Sequence, residues 1–334
     1  MRNRAGILVG IVVLLSLVGV AYYRSGLLNL PSVPDRVTVY DVGFDGLAGM
    51  KSFSDAVMSG VNPDADGLSA SVRAAIDQIQ KGEEGRGIQQ LEEATRQNPT
   101  NLVVGNTLRM EVFKLKRKWL SINAGKSEIA LQFPDYLQDQ PIRFFRELVK
   151  AKPIREKKFQ LALALVDHML LFPALEIKAP SSVEAVEILT SIIDEPGGAG
   201  GHYVPALFAR GLNYLYRPFN LVWPERIAAA PDAASKDISL AVAVGQKIGV
   251  GSNALKAELS LALGDAYAKE GKLSLARSWW QIANNMARDE KFRERVFLRL
   301  KWNDNDVRAS LEQTLERQMD DLDHPLSDVR FMWE

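Results

Sequence analysis

From about Leu68 onward apolar residues recur at helical spacing almost everywhere, and the pattern is broken by short turns at Gly82, Pro99, Pro153, Pro180, Pro196, Pro218 and Gly251. The spacing predicts an all-α body of short antiparallel helices. Ser181 with Glu184 has the spacing of a capping box, and Asn303 to Asp306 offers side-chain oxygens before the last long helix. Ahead of this body the pattern changes twice. The stretch AGILVGIVVLLSLVGVAYY, Ala5 to Tyr23, carries no charge over 19 residues, about 28 Å as a helix and close to the thickness of a bilayer core. Arg2 and Arg4 precede it and Arg24 follows; with the amino group, this bias favours a cytoplasmic N-terminus and an exported bulk, periplasmic or extracellular. Gly19, Val20 and Ala21 form a small-x-small site, so the alternative is a cleaved signal and a secreted chain. The expected division is an anchor or signal over 1–24, a linker over 25–67 with at most a short extended piece near Val37 to Phe44, a helical repeat domain over 68–320, and a tail over 321–334.

Gly264 stands within ALGDAYAKEGKLSLARSWWQIA, where a helix is expected and glycine costs about 1 kcal/mol relative to alanine. Close packing of two helices offsets such a cost. When residues 257–290 are set beside residues 68–101, a shift of 189, Gly264 falls on Ala75, Gly271 on Gly82, Ala276 on Gly87, Trp280 on Leu91 and Ala283 on Ala94. Small residues thus fall where two helices of a hairpin cross, a glycine falls in the turn, and Tyr267 and Trp280 fill the volume beyond. This window resembles a tetratricopeptide repeat: Leu263, Gly264, Tyr267, Ala276, Trp280 and Ala283 match the pattern, with Trp for the usual Phe and Arg288 for the usual Pro. In the earlier window Gly87, Leu91, Ala94 and Pro99 match, while Ala75 and Gln78 depart from it. A third copy keeps Gly211 and Tyr214, but 23 residues separate Gly211 from Ala234 where 12 separate Gly264 from Ala276, so an insertion near RPFNLVWPERI occupies the turn. The resemblance implies a right-handed superhelix of stacked hairpins, with a concave surface that takes a peptide or helix of a partner protein.

Composition narrows the chemistry. The chain has 41 Lys plus Arg and 41 Asp plus Glu, so its global charge predicts no attraction to nucleic acid. There is no cysteine, which removes thiol nucleophiles and thiolate metal sites. The three histidines, His168, His202 and His324, lie far apart and none has a second ligand at helical spacing. His168 beside Asp167 reads as a helix-interface residue, and EPGGAGGH as a helix connection lacking the ending of a phosphate loop. Asp265 and Glu270 read as solvated charges. No catalytic residue, metal ligand or cofactor is therefore expected.

Local charge is more informative. Residues 109–158 carry 13 Lys or Arg against 6 Asp or Glu, a net of +7, whereas the sign reverses from Asn303 onward. The basic stretch is either a solvated face or a docking surface for anionic lipid or an acidic partner; basic middle and acidic end could also join neighbouring copies. Phe219, Val222 and Trp223 in the insertion, and Phe331, Met332 and Trp333 at the end, either fill the core or make contacts. The expected function is a membrane-anchored scaffold or adaptor in an envelope complex, with Asn284, Asn285, Arg288 and Trp223 as candidate partner contacts. The alternatives are a self-assembling structural protein and an enzyme on a helical solenoid.

Overall fold

A computed structural model describes residues 68–123, 133–172, 175–195, 203–217, 230–248, 253–286, 290–320 and 327–328. The chain divides into two units, Met1–Arg36 and Val37–Glu334, and every described residue belongs to the second. The apolar segment at Ala5 to Tyr23, the linker, the insertion with Trp223, Arg288 and the residues Phe331 to Trp333 lie outside the described residues. Among those described, no helix is long and apolar enough to cross a membrane.

The described residues contain helices and no strand. In chain order they are α1 (Leu68–Gln80), α2 (Glu84–Gln97), α3 (Leu102–Ile122), α4 (Ile142–Ala151), α5 (Arg155–Leu171) and α6 (Leu175–Ile193), then α7 (Val204–Leu215), α8 (Ala233–Ile248), α9 (Asn253–Lys269), α10 (Leu273–Met286), α11 (Glu290–Leu300) and α12 (Val307–Asp320). The strongest pairings are the hairpins α1/α2, α5/α6, α7/α8 and α9/α10. Helices α3, α5, α7 and α9 also pack side by side, so the first helices of the last three hairpins join α3 in one layer. No hairpin can bury its apolar face alone, and stacking supplies the missing partner.

The first and last of these hairpins close in the same way. Gly82 and Gly271 have φ of +87° and +79°, the left-handed conformation that glycine adopts without a Cβ penalty. The amide of Glu83 then donates to the Gln78 carbonyl (2.9 Å), and that of Lys272 to the Tyr267 carbonyl (2.8 Å), which satisfies the helix ends. Beyond the turn, a Cβ on Gly264 would lie 2.4 Å from Cδ1 of Trp280 and 3.1 Å from the Ala276 carbonyl oxygen. Trp280 is fully buried beside Ala276 and Ala283, and Leu263 and Tyr267 join the same core. In the first hairpin the glycine has changed sides: a Cβ on Gly87 would lie 2.6 Å from the Ala75 carbonyl oxygen. Leu91 and Ala94 complete that buried face. Gly211 meets Ile238 in the same manner, at 2.6 Å, and Tyr214 packs against Val183 and Val186.

Two expectations need correction. Pro180 does not end a helix: α6 runs through it, and Ser181 lies inside that helix instead of capping it. Its neighbour Ser182 bonds Asn213 on α7 and Glu184 pairs with Arg146, so tertiary contacts hold this helix where local sequence signals a boundary. Asp265 and Glu270 are not solvated. Asp265 is 2% exposed, and the Glu270 side chain, at 7%, pairs with Lys272 across the turn (2.9 Å).

The reason for Asp265 is the character of its helix. Apolar residues lie on every side of α9, from Leu255 and Leu259 to Leu261 and Ala266, so it has no solvent face on which to place a charge. Arg299 of α11 donates to both Asp265 oxygens at 2.7 Å, and Trp280 Nε1 donates to one of them at 2.9 Å. Gly264→Ala is expected to destabilise the chain by about 1–3 kcal/mol in denaturant unfolding, because the Trp280 ring is held by Asp265 and cannot swing away. Gly82→Ala, where a Cβ meets nothing within 4 Å, should cost only about 1–2 kcal/mol, from the left-handed backbone alone.

Candidate functional site

Helix α5 is the second element buried nearly all round. Phe159, Ala162, Leu163 and Leu165 face the large core that continues to α12, while Leu161 and Ala164 face the core of the first hairpins. Asp167 lies on this helix and is 2% exposed. Burial pushes its carboxyl up, against the pull of Arg109 and of the Ser327 hydrogen bond. A carboxylate there is tolerable only if it is paired and bonded throughout.

Arg109 of α3 does the pairing. It is 0% exposed, and each of its three nitrogens has a partner. Nη1 donates to Asp167 Oδ2, Nε to Gln160 Oε1 and Nη2 to Asn106 Oδ1, each at 2.7 Å. Nη2 also donates to the main-chain carbonyl of Ser327, at 2.8 Å. The helices can come this close because α3 has a glycine one turn earlier: a Cβ on Gly105 would lie 2.9 Å from Gln160 Cδ. Asn101 caps α3 by accepting from the amides of Val103 and Val104.

The last partners come from outside the helical stack. Ser327 is 1% exposed; its hydroxyl donates to Asp167 Oδ1, and Asn106 Nδ2 donates to Asp328 Oδ1 at 3.0 Å. Two residues beyond the last helix therefore complete a charge network between α3 and α5. Arg109, the first residue of the basic stretch, thus takes its charge partner from α5 and only a main-chain carbonyl from the acidic end.

Beside the network lies a cavity of about 10 Å³, bounded in part by Arg109, Lys116, Gln140, Asp167 and His168. That is room for about one water molecule. Lys116 is buried and donates to the carbonyls of Gln138 and Gln140, at 3.2 and 2.6 Å, and burial brings its pKa down to about 8. His168 is held below its usual range by burial and by Lys116, and its ring rests 4.7 Å from that of Phe172. A second buried lysine, Lys269, donates to the carbonyls of Tyr214, Leu215 and Arg217 at the end of α7 and also falls to about 8 through burial. Among the described residues no group of acidic or histidine side chains could hold a metal ion.

The candidate contacts read from the sequence lie elsewhere. Asn284 is half-buried, and Asn285 is exposed and accepts from Gln281 at 3.2 Å; Arg288 and Trp223 lie outside the described residues. The structure brings neither Asn284 nor Asn285 to the α3/α5 site. Asn106, Arg109, Gln160, Ser327 and Asp328 were missed. Their signal is the spacing of Asn106, Arg109 and Lys116, which puts them on one side of α3, next to an unexplained Gly105.

The basic stretch is partly consumed inside the fold. Arg146 pairs with Glu184 (2.7 Å), Arg155 with Glu195 (3.0 Å) and Lys118 with Glu84 (3.2 Å), while Lys157 donates to the Leu148 carbonyl.

No family model matches the chain, and no curated protein does. Among solved structures it is similar to a thermophilic TPR protein of Thermus thermophilus, with 17% identity over 69% of this chain and 97% of that one, and a TM-score of 0.43.

Asp167→Leu should destabilise the chain by about 3–5 kcal/mol, since it strands the Arg109 charge in the interior. Adding Arg109→Met should recover part of that loss in the same denaturant measurement. The lysines give a pH test. Their folded pKa values lie below the usual 10.5, so unfolding takes up protons between the two values and stability rises with pH there. Stability is expected to increase by about 2 kcal/mol per lysine from pH 8 to 10. Above pH 10 the buried Tyr203 and the half-buried Tyr216, whose pKa values are raised by desolvation, reverse the slope. Lys116→Met and Lys269→Met should each flatten the rise.

Proposed function

We propose that this chain is a helical-repeat scaffold that binds protein segments, with one place of contact at the junction of α3 and α5. One observation carries this reading: the buried Arg109–Asp167 pair, on two helices of that layer, is completed by the main chain and side chains of a segment from beyond the last helix. A surface built this way recognises polypeptide, since Arg109 addresses a peptide carbonyl that every residue has. Stacked hairpins suit that task because they bring side chains distant in sequence together at the junctions between successive helices.

The uncharged stretch Ala5 to Tyr23 supports membrane attachment with the helical domain exported, in the setting of an envelope complex. Secretion after cleavage at Gly19 to Ala21 is the variant of this reading. The enzyme alternative finds little support: Asp167 and His168 do border a cavity with other polar groups, but at about 10 Å³ it admits no substrate larger than water.

Chemical crosslinking in the native membrane, followed by mild detergent extraction and mass spectrometry, tests the proposal. One reproducible envelope protein crosslinked to the helical domain is expected. Recovery of the chain alone, or only with itself, would overturn it.

A further inference from the structure

We infer that the α3/α5 site is a receptor for a chain segment carrying a small hydroxyl residue followed by an aspartate, and that the chain's own Ser327–Asp328 occupies it in competition with a partner segment of that chemistry. The inference rests on the scaffold reading and names what the scaffold takes at one place.

The site tests three features of its occupant. Arg109 Nη2 donates to the main-chain carbonyl of Ser327, Asp167 Oδ1 accepts the Ser327 hydroxyl, and Asn106 Nδ2 donates to the Asp328 carboxylate. Size is tested as well. Ser327 is 1% exposed, and Asp167, Arg109 and Asn106 are each 2% exposed or less, so a longer side chain at that position meets packed walls. A carboxylate there would face Asp167 across a few ångströms of dry interior.

A second ion pair in the same fold is as deeply buried: Arg299 and Asp265 take bonds from Trp280 and the Arg295 carbonyl, on helices α10 and α11. The Arg109–Asp167 pair draws two of its bonds from a residue that follows the last helix. If that residue leaves, a guanidinium N–H and a carboxylate oxygen lose their partners in the interior, at a penalty that favours refilling by the same chemistry. The donor of the refilling segment need not be the same molecule. The tail then acts as a built-in competitor: it lowers the apparent affinity for a partner by the fraction of time it occupies the site.

A fluorescein-labelled peptide of sequence DHPLSDVRF, residues 323–331 of the chain, serves as the probe in anisotropy titrations of the full chain in detergent. The competing chain carries Ser327→Glu, which evicts the tail by bulk and like charge and lies outside every helix. It should bind the probe at least roughly tenfold more tightly than the wild-type chain, as expected for a site that the tail fills about nine-tenths of the time. A probe with the same serine-to-glutamate change should bind neither chain. Asp328→Ala in the chain gives a second route to release and should move affinity in the same direction by less. Equal binding by the wild-type and Ser327→Glu chains, equal binding of the altered probe, or binding by none would overturn the inference. Concentration-dependent self-association lost in Ser327→Glu would overturn it too, by assigning the tail to a neighbouring copy. A crosslinked envelope partner found without any probe binding would sink this inference and leave the scaffold reading standing.

Discussion

A guanidinium with no exposure to solvent has to find every hydrogen-bond acceptor inside the protein, and in this chain that requirement ties three distant parts of the sequence together. Arg109 draws α3 onto α5 through Asp167 and Gln160, and with Asn106 brings Ser327 and Asp328 back across the stack. Removing any one partner leaves a polar group in the interior at a cost of about 1–3 kcal/mol, more where it is charged. The α3/α5 junction is therefore specified more strictly than apolar contacts alone would specify it, and the segment after the last helix is included in that specification.

The same logic recurs where helices lose their solvent face. Helices α5 and α9 are buried on nearly every side, and each carries one buried aspartate that an arginine from another helix must neutralise. Asp237 of α8 follows the rule at lower burial, held by two nitrogens of the Arg210 guanidinium at 2.7 and 2.8 Å. Such pairs add little net stability over apolar packing, since desolvation offsets the attraction. They do fix which helix lies against which. The difference at Arg109 is that one of its acceptors is the main-chain carbonyl of Ser327, which lies beyond α12.

Much of the helical body was legible because its rules are local. Gly82 and Gly271 mark left-handed turns, and small residues 189 positions apart mark helix crossings; both are written in the residues that perform them. Pro180 misled for the opposite reason. A boundary signal of one residue was overridden by contacts of α6 with neighbours distant in sequence, which no local pattern records. Asp265 and Asp167 were obscured in a similar way: an aspartate among leucines looks the same whether its arginine lies beside it or 34 or 58 residues away. The one clue to the α3/α5 site in the sequence was Gly105 beside a row of Asn106, Arg109 and Lys116, polar residues spaced to share one side of the helix.

Hydrogen exchange of the segment around Ser327 in the intact chain tests the docking of the chain end most directly. Slow exchange there is expected, with protection lost together with that of α3 near Arg109 when Asp167 is replaced by asparagine. Exchange at the rate of an unstructured peptide in the wild-type chain would contradict the placement of Ser327 and Asp328 against α3 and α5.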